Sequence, residues 1–431
     1  MSTAAPISVY DRMCWPAGEL ERALELGTHR RELRAYLGAG EYALLSALAR
    51  AATRVRRRAA YPKVYLLPGI MGTQLGFPRA AGLPRDLLWL DPSDIVQGRL
   101  RHLRWGTKPA LETQGAIPYS YLPLKLRLRA AGFEVELYEY DWRDDLRSLG
   151  PRLAARLRAD AAPRLALIGH SMGGLLARVA LAPGTIGHAD GRIERICGLG
   201  TPHGGAMAAV QALRATYPFV CRLAAIDTRH DAEALSREVF DSFMSIYQLI
   251  PPECGKLDLL DPRSWPRRGA RPVAALLRAA RGFGAQLAAA DARFVSIIGT
   301  GQRTVTGIAK RGEQFRYEIS AAGDGIVASA RATLAGACNY YVRCEHSELP
   351  RSARVAAALV DLLRTGRTRR LAQHVLIRPG RSAYASDAAL RRGFARKIDW
   401  HALSSAERRR YLRLLNAPPP SYRPPPRAQK M

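Results

Sequence analysis

One stretch determines the fold of this chain: Leu165-Ala-Leu-Ile-Gly-His-Ser-Met-Gly-Gly-Leu-Leu-Ala-Arg-Val-Ala180. An apolar run typical of a buried strand enters a Gly-x-Ser-x-Gly turn, and an Ala/Leu-rich run with helical spacing follows. Gly169 and Gly173 lack a Cβ, so the strand and the helix can approach closely around a sharp turn. The turn should hold Ser171 at an exposed apex, where the first N–H groups of the helix favour negative charge. This context predicts that Ser171 is a nucleophile.

The length of 431 residues suggests about two or three domains, or one large α/β domain with insertions. The chain's net charge of +29 raises the hypothesis of a nucleic-acid or anionic-membrane partner. No helix-turn-helix, zinc-finger or RNA-binding aromatic motif accompanies that charge, so we expect no nucleic-acid partner and a mostly solvated basic surface. The N-terminal sequence lacks the basic start and apolar core of a signal peptide, and no apolar run reaches transmembrane length. We therefore expect a cytoplasmic protein that contacts membranes at most peripherally.

The sequence predicts neither a cofactor nor a metal. No cluster of His, Asp or Glu has the spacing of a metal site. The six cysteines show no Cys-x-x-Cys spacing, and without an export signal we expect them to be reduced thiols.

The chain divides into three predicted parts. Residues 1–60 form an N-terminal helical segment. Residues 61–363 alternate strands and helices, which predicts an α/β-hydrolase catalytic domain with a mostly parallel sheet. Within it, residues 206–290 break the rhythm and are predicted to form a helical cap over Ser171. Residues 364–431 carry 17 Lys/Arg against 3 Asp/Glu and end in proline runs, so we expect a basic and partly disordered tail.

Several shorter segments also give definite expectations. The glycines within 38–40 should break the N-terminal helix into two pieces. Residues 84–118 read as an irregular insertion at the mouth of the site, and residues 315–319 read as an exposed strand. The last 15 residues should be disordered, and short helices are expected around Trp400 and near 411–415.

A serine nucleophile needs a base, and the base needs an orienting acid. On this fold the chain order is Ser, then Asp or Glu, then His. His346 directly follows the predicted strand at 340–343, where the base belongs. His203 follows an earlier strand and is expected to support the site from beside it. The other histidines after Ser171 lie in irregular segments or in the tail, so the base is predicted to be His346.

The acid should follow the strand before the last one. Asp324, between two glycines, is the candidate, although an ordinary Asx-turn would also explain it. Glu345 is an alternative carboxylate, but neighbouring side chains on an extended chain point apart, which favours Asp324 as the partner of His346.

The oxyanion hole needs two backbone N–H groups. The nucleophile turn should supply that of Met172. The glycine-rich turn after the first core strand should supply that of Ile70, with Met71 as a near alternative.

An ordered set of motifs resembles the lecithin:cholesterol acyltransferase-like family over about residues 63–363. The motifs are Leu67-Pro-Gly-Ile-Met-Gly-Thr-Gln-Leu75, Asp141-Trp-Arg143, Gly169-His-Ser-Met-Gly-Gly174, Gly200-Thr-Pro-His-Gly-Gly205, Tyr247-Gln-Leu-Ile-Pro251, Gly323-Asp-Gly-Ile-Val327 and Glu345-His-Ser347. The resemblance implies a catalytic triad formed by Ser171, Asp324 and His346. It also implies an oxyanion hole formed by Ile70 and Met172. It implies an acyl-enzyme formed from lipid esters and released to water or to an alcohol. The chain departs from the animal members in lacking an export signal and a clear counterpart of their lid disulfide, and Met71 stands where leucine is more usual.

Two functional hypotheses follow. The first is a serine-dependent acyl-ester enzyme, either a lipase or phospholipase or an O-acyltransferase, whose partner is an acyl lipid substrate. The alternative is a catalytically silent α/β-hydrolase scaffold that binds lipid or a protein partner. In both, the basic tail is expected to contact anionic membranes without being needed for the chemistry.

Overall fold

The computed structural model describes residues 15–80, 85–375, 381–394 and 396–415. The strands are β1 (Lys63–Leu67), β2 (Thr73–Phe77), β3 (Asp86–Trp89), β4 (Glu112–Ala116), β5 (Val135–Leu137), β6 (Leu165–His170), β7 (Ile193–Leu199), β8 (Glu253–Cys254), β9 (Leu257–Asp258), β10 (Phe294–Thr300), β11 (Thr304–Arg311), β12 (Gln314–Ser320), β13 (Cys338–Arg343) and β14 (Ala383–Ser386). The helices are α1 (Ala17–Leu26), α2 (Arg30–Leu37), α3 (Ala39–Arg54), α4 (Pro92–Val96), α5 (Pro118–Ala130), α6 (Leu146–Ala159), α7 (Met172–Ala180), α8 (Met207–Leu213), α9 (Pro218–Ile226), α10 (Ala232–Glu238), α11 (Met244–Gln248), α12 (Ala274–Ala280), α13 (Ser329–Ala332), α14 (Ala353–Thr365), α15 (Asp387–Arg392) and α16 (Ser405–Arg413). Short 3₁₀ turns lie at Arg99–Leu103, Gly187–Arg192, Phe240–Ser242, Pro262–Ser264, Phe283–Gln286 and His346–Glu348.

Six strands form a parallel sheet in the order β5-β1-β6-β7-β10-β13. Strand β6 lies in its middle and is buried along its whole length, as expected for a strand covered on both faces. In register, Leu67 at the end of β1 pairs with Gly169 of β6, and His170 pairs with Leu199 of β7. The carboxyl ends of the three central strands therefore meet around the Ser171 turn, and the predicted α/β-hydrolase fold is confirmed.

Helices cover both faces of this sheet, because alternate side chains of the strands are apolar on both sides. Tyr65 and Leu67 of β1 belong to the core layer that includes α6 and α7. Val64 and Leu66 belong to the opposite layer, with α5 and α14. This packing holds the end of β1 rigidly beside the turn that follows β6.

The N-terminal segment forms three helices where two were expected. The break at Gly38 is confirmed, and a second break separates α1 from α2. Gly27 ends α1 in the left-handed conformation with φ of 72°, which a residue without a Cβ adopts readily. The three helices pack on α5 through Leu122 and Leu126.

The expectation of an irregular segment over residues 84–118 is wrong. The segment contributes β3 and β4, which pair antiparallel with β2, and the short helix α4. Helix α4 begins where the Asp91 carboxylate accepts a hydrogen bond from the Ser93 N–H at 2.7 Å, an N-cap that the sequence analysis overlooked.

Between β7 and β10, helices α8 to α12 and the small β8–β9 hairpin continue the core on the α6 and α7 side of the sheet. Aromatic rings join this segment to the rest of the protein. Phe243 meets Trp142 edge to face at 5.4 Å between ring centroids, and Phe219 lies 5.8 Å from Trp89.

Strand β12 is not the exposed strand that was expected. Phe315, Tyr317 and Ile319 are buried, while Arg316 and Glu318 between them are partly exposed. The reason is long-range: β14, from the basic tail, pairs with β12, and residues of the tail and of the segment between β7 and β10 cover its inner face.

The described part of the tail packs firmly on the segment between β7 and β10. Asp387 lies 2.5 Å from Arg214 and accepts a hydrogen bond from the Tyr317 hydroxyl at 2.6 Å, and all three side chains are buried. Lys397 donates to the carbonyls of Ala224, Asp227 and His230 at the end of α9. A buried charge that loses its partner is strongly destabilising, so these contacts fix the tail.

The helix expected near 411–415 is present as α16, which begins earlier and ends at Arg413. The helix expected around Trp400 is not formed, because Trp400 lies in a turn. The disorder expected for the last 15 residues falls outside the described residues. The division into three parts stays a prediction. Over the described ranges, no helix combines the length and apolar character needed to cross a membrane.

Candidate active site

Ser171 occupies the turn between β6 and α7 with φ of 52° and ψ of −124°, a strained conformation for a residue with a Cβ. Its N–H donates to the Leu199 carbonyl at 2.8 Å. A Cβ on Gly173 would overlap the Leu67 carbonyl oxygen, and one on Gly169 would overlap the start of α7. The predicted close approach is confirmed. Ser171 itself is only 7% exposed, because it faces a covered cavity instead of bulk solvent.

His346 follows strand β13, and Asp324 lies in the loop that follows strand β12. The two side chains lie together. The Asp324 Oδ2 to His346 Nδ1 distance is 2.7 Å, and both side chains are buried. A carboxylate only accepts hydrogen bonds, so Nδ1 carries the hydrogen and Nε2 is left able to take a proton. Asp324 Oδ1 also accepts from the Val327 N–H at 2.7 Å, so the Asx-turn considered from sequence is present as well. Glu345 is exposed.

Gly200 leaves the space in which this pair sits. Its φ is 59°, and a Cβ there would lie 2.9 Å from both Asp324 Oδ2 and His346 Nδ1. The second Gly-rich motif, at the end of β7, therefore contributes clearance at the acid–base pair.

Ile70 lies in a tight turn in which the Gly72 N–H donates to the Gly69 carbonyl at 3.0 Å. Met71, the third residue of that turn, has φ of 63°. Over the part of the chain that the structure describes, the N–H groups of Ile70 and Met172 donate to no protein acceptor. Both are therefore available to an oxyanion, and Ile70 lines the same cavity as Ser171.

Aromatic side chains hold this turn in place from outside. The Tyr140 hydroxyl donates to the Pro68 carbonyl at 2.5 Å, the Trp89 indole to the Met71 carbonyl at 2.9 Å, and the Trp142 indole to the Thr73 carbonyl at 2.9 Å. Trp142 of the Asp-Trp-Arg motif thus anchors the residue that directly follows the turn.

A buried chain of hydrogen bonds, which sequence reasoning missed, connects the turn to the base. The Gly69 N–H donates to the Tyr121 hydroxyl at 2.8 Å. The Tyr121 oxygen lies 3.0 Å from His170 Nδ1, and His170 Nε2 lies 3.1 Å from the His346 carbonyl. A carbonyl can only accept, so Nε2 carries a hydrogen. In neutral His170 the other nitrogen, Nδ1, then accepts a hydrogen bond from the Tyr121 hydroxyl. The only sequence signal was the histidine inside the Gly-His-Ser motif.

The complete burial of its ring favours the uncharged form of His170. Burial, and secondarily the nearby His346, lowers the pKa of His170 to about 3. Its ring lies 4.8 Å from that of His346, so neutrality avoids placing a fixed cation beside the predicted base.

His203 does not line the cavity. Its Nε2 lies 3.1 Å from the Ser296 hydroxyl on β10, and its Nδ1 is 3.4 Å from Arg178 on α7. It therefore packs under the nucleophile helix, in agreement with the supporting position expected for it.

Ser171, His346 and Ile70 share the wall of a cavity of about 260 Å³. Four other parts of the chain contribute to its walls. Apolar residues of the segment between β7 and β10 form one wall, namely Ala206, Ala208, Ala209, Ala212, Tyr217, Phe219, Ile246 and Leu249. The antiparallel insertion adds Leu87, Trp89 and Leu90, and the two ends of the chain add Tyr36, Leu37, Arg409, Leu412, Arg413 and Leu415. This lining argues against the expectation that the tail is dispensable for the chemistry.

The arrangement can support nucleophilic acyl chemistry without a metal ligand set. Over the described residues, no three His, Cys, Asp or Glu side chains are grouped so that they could hold a metal ion.

Comparison with protein families finds a match to part of the chain. Residues 155–235 match the family described as PGAP1-like alpha/beta domain, a span that includes the Ser171 turn, β7 and the first helices after it. No curated protein has a significantly similar sequence.

Comparison with solved structures gives distant likenesses. The crystal structure of Bacillus licheniformis lipase BlEst2 in mature form is 15% identical over 72% of this chain and 94% of its own, with a TM-score of 0.37. The propeptide form of that lipase is 14% identical over 72% of this chain and 51% of its own, with a TM-score of 0.38. A chain of the Tle4–Tli4 complex is 15% identical over 71% of this chain and 98% of its own, with a TM-score of 0.42. None of these matches is to the lecithin:cholesterol acyltransferase-like family that the motifs resemble.

We predict that the neutral state of His170 makes the protein sensitive to acid. An unfolded histidine binds a proton below about pH 6.5, whereas folded His170 does so only near pH 3, so acidification between these values favours the unfolded chain. The contribution of His170 to the free energy of unfolding should fall by roughly 2 kcal/mol when the pH is lowered from 7 to 5. His170→Gln should reduce the pH dependence of urea unfolding by about this amount.

The matched control is His401→Gln, which changes an exposed histidine of the tail. It should leave the pH dependence as in the native protein. An identical pH dependence in all three proteins would contradict the assignment of a neutral His170.

Proposed function

We propose that this protein is a serine-dependent acyl-ester enzyme that acts on lipid esters through an acyl-enzyme on Ser171. One observation carries the proposal: the buried Asp324–His346 pair, 2.7 Å apart, opens onto the same cavity as Ser171 and the Ile70 turn. The base, the acid, the nucleophile and the candidate donors thus come from four separate segments of the chain, as acyl transfer requires.

In the proposed first step, His346 Nε2 takes the proton of Ser171 Oγ as the oxygen attacks the ester carbonyl. Asp324 holds the imidazole in orientation and stabilises its positive charge. The carbonyl oxygen becomes an oxyanion, which accepts hydrogen bonds from the Ile70 and Met172 N–H groups. Each such donor lowers the barrier by about 3 kcal/mol. His346 then gives its proton to the departing alcohol, and the acyl group remains on Ser171.

In the second step, His346 activates the acceptor, and the acyl group leaves Ser171. Water as acceptor makes the protein a lipase or phospholipase, and an alcohol makes it an O-acyltransferase. The ordered motifs, which resemble the lecithin:cholesterol acyltransferase-like family, are compatible with either acceptor.

The lining of the cavity supports an acyl lipid as substrate. Most of the residues that the cap and the insertion contribute are apolar, and they include Trp89, Phe219 and Ile246. Burial of an acyl chain gains about 0.8 kcal/mol for each methylene removed from water, so a longer acyl group should bind more tightly as far as the cavity extends.

A fluorophosphonate probe tests the nucleophile directly. The native protein should be labelled, and Ser171→Ala should lose both labelling and ester hydrolysis, the latter by about 10⁴-fold or more. Ser120→Ala, which changes another serine of the cavity wall, is the control and should be labelled normally. An unlabelled native protein, or equal labelling of Ser171→Ala, would exclude this function.

Tyr121→Phe tests whether the buried hydrogen-bond chain supports the site. The change removes the acceptor of the Gly69 N–H and the donor to His170, so the turn that carries Ile70 should lose its fixed position. We expect kcat for a p-nitrophenyl ester to fall about tenfold or more, the effect of losing one buried hydrogen bond in the transition state.

Tyr138→Phe serves as the control for that experiment. The Tyr138 hydroxyl forms no hydrogen bond with any described residue, so kcat should stay at the native value. Equal kcat values for the Tyr121 and Tyr138 variants would show that the chain does not support catalysis.

A further inference from the structure

Two arginines of the C-terminal helix α16 line the cavity that contains Ser171. Arg409 and Arg413 are one helical turn apart and face the same side of α16. Arg413 is exposed and Arg409 partly so, whereas the apolar residues of the cap wall are mostly buried. The cationic side of the cavity is therefore open to solvent, and the apolar side is covered.

Local contacts orient both guanidinium groups. Arg409 Nη1 donates to the Ala35 carbonyl, and Arg413 Nη2 donates to the Leu37 carbonyl at 3.2 Å, both at the end of α2. The Arg413 guanidinium also lies 5.0 Å from the centre of the Tyr119 ring, another residue of the cavity wall. These contacts fix the two cations in place before any ligand arrives.

The charge of the two arginines is not balanced by a carboxylate. Within the described ranges, no Asp or Glu oxygen lies within 4 Å of either guanidinium. The acids of the cavity wall are engaged elsewhere: Glu348 pairs with Arg351 at 3.2 Å, and Asp91 caps helix α4. Two like charges one turn apart on a helix repel each other, which an anion between them would relieve.

The hydrogen bonds to α2 leave most of the donors unused. A guanidinium carries five N–H donors in a planar fork that matches the oxygens of a phosphate. Capping of the α2 carbonyls uses one donor of each arginine in the bonds described above. A tetrahedral oxyanion can accept hydrogen bonds from both guanidiniums at once.

We propose that Arg409 and Arg413 form an anion subsite, so that the preferred substrates are acyl esters whose alcohol part carries a phosphate. The inference rests on the proposed function. The phosphate binds at the solvent-exposed arginines, the acyl chain lies along the apolar wall of the cap, and the ester bond between them reaches Ser171. Selection of a charged head group thus comes from the tail of the chain, outside the motifs of the catalytic domain.

The test compares two short esters, 1-butyrylglycerol 3-phosphate and 1-butyrylglycerol, at constant ionic strength. The butyryl chain keeps both monomeric in water, so attraction to a lipid surface plays no part. The native protein should prefer the phosphate ester in kcat/KM by about tenfold or more, the factor expected for hydrogen bonds to a charged group. In the double variant Arg409→Gln and Arg413→Gln, this preference should fall towards one.

Two further variants guard against a general loss of structure. Arg410→Gln changes an exposed arginine on the same helix that does not line the cavity, and it should keep the native preference. The double variant Arg409→Lys and Arg413→Lys retains both charges and should retain part of the preference.

The outcomes separate the subsite from the function beneath it. Equal kcat/KM values of the native protein for the two esters, or an unchanged preference in the glutamine variant, would overturn the subsite alone. Cleavage of neither ester by the native protein would contradict the proposed function, and the subsite would fall with it.

Discussion

The site depends on contact of backbone against backbone at the Ser171 turn. Helix α7 starts so close to the end of β1 that a Cβ on Gly173 would overlap the Leu67 carbonyl, and a Cβ on Gly169 would overlap the backbone of Gly173 and Gly174. The strained φ of Ser171 costs of order 1–3 kcal/mol, and the surrounding sheet must supply that energy. Three parallel strands, fixed in register, offset the strain of this turn.

From that turn, hydrogen bonds extend the constraint to the rest of the site. The chain from Gly69 through Tyr121 and His170 to the His346 carbonyl is buried throughout, where an unpaired donor or acceptor is costly. A displacement of the donor turn therefore cannot occur without disturbing the loop of His346. This coupling gives a physical reason for a tyrosine and a histidine that take no part in the proposed acyl transfer.

The sequence was informative where chemistry depends on short patterns and silent where it depends on distant parts of the chain. The strand–turn–helix around Ser171 follows from local periodicity, and Asp324 and His346 follow from chain order on a familiar fold. Nothing local indicated that α2 and α16, from opposite ends of the chain, line one cavity, or that a tail strand would cover β12. Such pairings are decided by tertiary packing, which periodicity does not encode. Charge alone placed Arg409 and Arg413 in a basic tail that was expected to contact anionic membranes.

Trapping the acyl-enzyme tests the central claim most directly. A p-nitrophenyl ester is mixed with excess protein, the reaction is stopped with acid, and tryptic peptides are measured by mass spectrometry. Cleavage after the arginines at 164 and 178 isolates the peptide Leu165–Arg178, with Ser171 as its single serine. We expect this peptide to gain the mass of the acyl group. Release of nitrophenol with no acylated peptide, or with the acyl group on a different peptide, would contradict a mechanism through Ser171.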